Sequence, residues 1–140
     1  MKLRLIAWLM VFGSMLALAA AASASQSSAA GRLAFDGKEI LTFRTTVNGF
    51  SPKQREGILE ERITNILSET EHPPLRASDI RLVRRNHQMI ITVRGHLLVT
   101  VTKQDARANR GTRQTVGSIW LRHFRAVLPG ASPVPKKSAL

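Results

Sequence analysis

The chain has 140 residues, with 21 Lys and Arg against 9 Asp and Glu, no Cys, and a formal net charge of +12. Without cysteine there is no disulfide framework, thiolate metal site or cysteine nucleophile, so the fold stands on its apolar core. The length suits one compact domain and is too short for two.

The first stretch reads MKLRLIAWLMVFGSMLALAAAASAS. Lys2 and Arg4 precede an apolar run from Leu5 to Ala22, and Ala22 and Ala24 form an A-x-A site, the tripartite pattern of a secretory signal peptide cleaved after Ala24. The run reaches the lower limit for spanning a bilayer, so an uncleaved anchor in the inner membrane is the alternative. Gly13, Ser14 and the terminal alanines favour cleavage, and with it a periplasmic or secreted location. Removing Lys2 and Arg4 leaves 19 basic against 9 acidic side chains. A field of that sign attracts polyanions, and outside the cytoplasm these are lipid head groups, cell-wall polymers and acidic protein faces. Nucleic acid is expected as a partner only if the export reading fails. Solubility alone accounts for the charge equally well.

Residues 25–31 read as a flexible leader, and a single domain is expected over 32–130. In RLAFDGKEILTFRTTV, apolar residues flank Asp36-Gly37, which predicts a hairpin closed by a type I′ turn with positive φ at both central positions. Ser51, Pro52 and Gln54 then spell an N-cap, a first-turn proline and a capping box, opening a helix whose stripe is Ile58, Leu59, Ile63, Ile66 and Leu67. Arg62 borders that stripe with its stem on the core and its guanidinium in water. His72-Pro73-Pro74 is expected to stop the helix.

Three strands follow at Ile80–Arg84, Met89–Arg94 and Leu97–Thr102, joined near Asn86-His87 and Gly95-His96. Alternation assigns Met89, Ile91, Val93, Leu97, Val99 and Val101 to a dry face, and Thr92, Arg94, Leu98, Thr100 and Thr102 to a wet one. A loop carrying Asp105 and Gly111 leads to a last helix with the stripe Val116, Ile119, Trp120, Phe124, Val127 and Leu128, ended by Pro129-Gly130. Residues 131–140 are expected to be disordered. The order β-β-α-β-β-β-α defines an α+β fold in which an antiparallel sheet carries two helices on one face.

No catalytic motif emerges. Gly111 and Gly117 superficially suggest a phosphate-binding loop, but Val116 stands where the second glycine belongs. Ser118 lacks a nucleophile-elbow setting, and the acids cluster on the first helix, where Glu60, Glu61, Glu69 and Glu71 read as solvated charges. His87 and His96 lie about 30 Å apart along one extended strand, too far to share an ion, and no cofactor or metal is expected. Asp105 reads as a turn aspartate accepting backbone N–H groups. On the wet face, Arg44, Arg81, Arg94, Thr92 and Thr100 form a candidate surface for anionic groups. The competing reading is a solvated face that uses β-branched residues for propensity and arginines against edge pairing.

The succession LAFDGKEILTFR, REGILEERI, GHLLVTVTKQDA, Gly111 and VGSIWLRHF is similar to an extracytoplasmic domain that precedes the membrane helices in bacterial mechanosensitive channels of the small-conductance family. Asp36, Gly37, Arg55, Gly95, Thr102, Asp105, Ala106, Gly111 and Trp120 carry the resemblance, which covers Arg32 to Pro129. Gly117 departs from it, standing where that family usually has alanine. No stretch after Ala22 reaches membrane-spanning length, so this chain is not expected to form a pore. The resemblance implies a freestanding accessory domain for interaction or sensing, with an envelope protein or membrane channel as partner and no catalytic role. The contrasting expectation is an envelope enzyme acting on an anionic polymer, which requires Asp105 in a pocket beside a histidine or serine.

Overall fold

β1 (Gly31–Phe35) and β2 (Lys38–Phe43) pair antiparallel, and Asp36 and Gly37 turn between them with φ of 49° and 73°, as the Asp-Gly sequence requires. The computed structural model describes residues 29–69 and 74–131; the expected signal peptide, residues 25–28 of the leader, His72, Pro73 and the tail from 132 lie outside them, and Gly31, expected in the leader, opens β1. α1 (Pro52–Leu67) starts with the expected box, Ser51 accepting from the Gln54 amide and the Gln54 side chain accepting from the Ser51 amide. β3 (Ile80–Arg85), β4 (Gln88–Val93) and β5 (His96–Val101) form an antiparallel sheet in that order, with left-handed turns at Asn86-His87 and Arg94-Gly95. The second turn thus falls one residue earlier than the sequence reading placed it, and His96 opens β5. Two further helices, α2 (Lys103–Ala108) and α3 (Arg113–Val127), end the domain.

The fold is α+β in the expected order, with two differences. The strands make two sheets, a two-stranded hairpin and the three-stranded β3-β4-β5, instead of one. The expected loop after β5 contains α2, because Thr102 caps it: its hydroxyl accepts from the Asp105 amide while the Asp105 carboxylate accepts from the Thr102 amide. α2 ends in a Schellman motif, with Gly111 N–H on the Ala106 carbonyl and Arg110 N–H on that of Arg107. Arg110 itself takes the left-handed position at φ 52°. Arg110→Gly is therefore expected to raise stability by about 0.5–1 kcal/mol, read as a higher denaturant midpoint, since glycine carries no Cβ penalty there.

Two bulges depart from strict alternation. Leu33 pairs Leu41 and Ala34 pairs Glu39, leaving Ile40 as an extra residue; Ile91 pairs Val99 and Thr92 pairs Leu97, leaving Leu98 extra. Each bulge lets two successive residues enter the core, Ile40 with Leu41 and Leu98 with Val99. Leu98 is consequently buried and Leu97 is 41% exposed on the opposite face, the reverse of the expected assignment. Each bulged carbonyl is met by a helix side chain: His123 Nδ1 donates to Ile40 O at 2.7 Å, and Arg62 to Leu98 O at 3.0 Å. Arg125 does the same for Ile80 O at the start of β3. These donors satisfy strand carbonyls that would otherwise invite edge pairing, and Arg62 spends its guanidinium on the backbone instead of in water.

α3 packs on the face of Leu82, Ile91 and Val101, where Gly117 allows close approach: a Cβ there would lie 2.9 Å from Leu82 Cδ1. The core joins Leu33, Leu41 and Phe43 of the hairpin, Leu59 and Ile63 of α1, the inner face of the larger sheet, and Val116, Trp120, Phe124 and Leu128. Ile119, expected in the stripe, is 38% exposed, and Val127 is only partly buried.

Candidate anion-binding face

Asp105 is 1% exposed, and its oxygens are fully engaged. Arg55 donates to both at 2.8 Å as a parallel fork, and Thr102 adds its amide and its hydroxyl to Oδ2 at 3.0 and 2.7 Å. The guanidinium also lies over the Phe43 ring, 4.1 Å from its centroid, and Phe43 meets Trp120 edge to face at 5.8 Å. α1, β2, α2 and α3 are thereby tied through one chain of contacts. Asp105 does accept the backbone N–H expected of it, but its main partner comes from 50 positions upstream in sequence. No histidine or serine contacts the carboxylate.

The sheet face opposite α3 carries the arginines. Register places Arg81 beside Thr92 and Leu97, Val83 beside Ile90 and Thr100, and Arg85 beside Gln88, all on that face. A hollow of about 470 Å³ runs over it, lined by Asp79, Arg81, Val83, Arg84, Arg85, Thr92, Arg94 and Gly95. Of the five residues expected to bind anions, Arg81, Thr92 and Arg94 meet here. Thr100 shares the face but lines a neighbouring groove, and Arg44 follows β2, in the other sheet, and lines neither. Thr92 is buried instead of wet, because it lies on the central strand between Arg81 and Leu97. Arg94 faces Asp79, with Nε 3.7 Å from the carboxylate.

Sequence reasoning missed Arg84 and Arg85. They are exposed, neither makes an ion pair among the described residues, and Arg81 uses only its Nε there, on the Ser78 carbonyl. The signal was present in the run Arg81-Leu82-Val83-Arg84-Arg85, where three cations fall on six residues of one strand. Guanidinium forks of this kind suit phosphate and carboxylate oxygens. Among the described residues no group of three or more metal-ligating side chains occurs, and no helix is long and apolar enough to cross a membrane.

These features define a small two-sheet α+β domain with an arginine-lined face. The chain belongs to the family described as Domain of unknown function (DUF8459), whose model matches residues 32–129. No curated protein and no solved structure matches it.

Proposed function

We propose that this chain is an exported, non-catalytic binding module of the cell envelope, which engages anionic groups through the outer face of its larger sheet. The observation that carries the reading is the cluster of Arg81, Arg84 and Arg85, three exposed cations around one hollow with no acidic partner among the described residues. Partnered arginines elsewhere in the domain serve the fold: Arg55 on Asp105, Arg62 on Leu98 and Arg125 on Ile80. The signal-peptide pattern of residues 1–24 supports export, which puts lipid head groups and wall polymers within reach of the face. The similarity to channel ectodomains supports a station beside a membrane protein.

Binding to vesicles rich in phosphatidylglycerol, compared with neutral phosphatidylcholine vesicles, tests the face. Each arginine near an anionic surface is worth about 1 kcal/mol, so replacing Arg81, Arg84 and Arg85 by Ser is expected to weaken binding by up to about 100-fold at low salt. The difference should shrink as salt shortens the Debye length. Equal retention of the wild type and the triple variant would reject the face. Export is checked by sequencing the N-terminus of the protein from fractionated cells: Ser25 in the envelope is expected, and Met1 in the cytosol would refute it. In-cell cross-linking identifies an envelope partner.

A further inference from the structure

We infer that the anionic ligand is an amphiphile, a lipid whose phosphate meets the arginine face while its chain lies in an apolar groove beside β5. This rests on the anion-binding reading above and adds the nature of the ligand's other end. The groove, about 240 Å³, opens between α1, β5 and the turn after β2, and its apolar lining includes Val47, Phe50, Ile58, Leu98 and Val99.

Phe50 is the telling residue. It is 48% exposed, the most exposed large apolar side chain among the described residues. It is also held rigidly: Val47 and Phe50 exchange both backbone hydrogen bonds, at 3.1 and 3.0 Å, across a two-residue turn with Asn48 and Gly49 at φ 51° and 81°. An exposed aromatic ring on a hydrogen-bonded tight turn beside a groove with apolar lining offers a wall to a chain whose backbone support is already ordered.

The groove and the arginine hollow share no lining residue, but they approach each other at one cross-strand pair, Arg85 of the hollow and Gln88 of the groove. Gln88 and Thr100 line the groove and lie on the outer face, where Gln88 is the cross-strand partner of Arg85 and Thr100 that of Ile90. Directly paired residues on adjacent strands have Cα atoms roughly 5 Å apart, so Arg85 stands at the groove mouth. Arg62 lines the other side, and no acidic residue lines the groove, so its charge suits an anion. A hydrophilic wall polymer would use the arginines and leave Phe50 and Ile58 idle. A methylene occupies close to the roughly 30 Å³ of a water molecule, so the groove holds a chain of about eight carbons.

The test uses the full chain and soluble probes: inorganic tripolyphosphate, which has no chain, and alkyl phosphates from butyl to dodecyl below their micelle concentrations. Wild type is expected to bind alkyl phosphates up to roughly fourfold more tightly per added methylene, levelling off near octyl. Phe50→Ser should flatten this dependence and leave tripolyphosphate affinity unchanged. Replacing Arg81, Arg84 and Arg85 by Ser should weaken both probe types. Wild-type affinity that does not grow with chain length, alongside tripolyphosphate binding that needs the arginines, would overturn the groove and leave the anion face standing. A chain-length dependence that Phe50→Ser leaves intact would also overturn the groove. Tripolyphosphate that does not bind, or binds the triple variant equally, would remove the anion face and the groove together. A diazirine-tagged octyl phosphate guards against misfolding of the Phe50 variant. On wild type it is expected to label peptides carrying Phe50 or Ile58, and labelling confined to residues 1–28 would refute the site.

Discussion

Asp105→Ala is expected to lower the unfolding free energy by about 3–5 kcal/mol, the usual cost of removing one partner from a buried ion pair. Arg55, with its side chain only 10% exposed, would be left charged and unpaired against the Phe43 ring. The Thr102 amide would also lose its acceptor at the start of α2. Denaturant unfolding measures the loss. The double replacement Arg55→Met with Asp105→Leu removes both charges and is expected to cost less than the sum of the two single changes, because a well-packed apolar pair carries no desolvation penalty. Additivity would mean that the 2.8 Å contacts contribute nothing to stability.

Phe43→Ala is the second large effect, at about 3–5 kcal/mol. Phe43 is 1% exposed and serves three neighbours: it fills the core under the hairpin, receives the Trp120 edge, and carries the Arg55 guanidinium on its face. Phe43→Leu keeps most of the volume and loses the ring contacts, so it is expected to cost less, about 1–2 kcal/mol. In an Asp105→Ala background Phe43→Leu should cost a different amount than alone, since Arg55 links the two sites. Equal costs in both backgrounds, measured by denaturant midpoints, would show that the aromatic and the ion pair act independently.

Local chemistry was the part of the fold that the sequence made legible. Ser51, Pro52 and Gln54 announce α1 because a capping box is written within four residues, and Asp36-Gly37 announces its turn because few residues tolerate two positive φ angles. The same kind of signal marked α2, where Thr102 and Asp105 stand at capping-box spacing, yet an aspartate after a strand also suits a turn. The bulges at Ile40 and Leu98 follow a different logic. A run such as Leu97-Leu98-Val99 has no intrinsic parity, and which leucine enters the core depends on a partner strand and on Arg62 arriving at the Leu98 carbonyl.

Long-range contacts were not legible. Nothing near Arg55 points to Asp105, and nothing in the alternation of β2 says that it does not join β3, β4 and β5 in one sheet. The split into two sheets leaves Arg44 outside the candidate site, while the hairpin tip brings together Arg84 and Arg85, which alternation alone places on opposite faces.

The most direct measurement of the anion-binding face is a backbone amide shift map of the ¹⁵N-labelled chain titrated with inorganic tripolyphosphate. Shifts concentrated at Arg81 to Arg85 and Thr92 to Gly95 are expected, fading as salt is raised. Shifts confined to Arg107 to Arg113, or to no described residue at all, would contradict it.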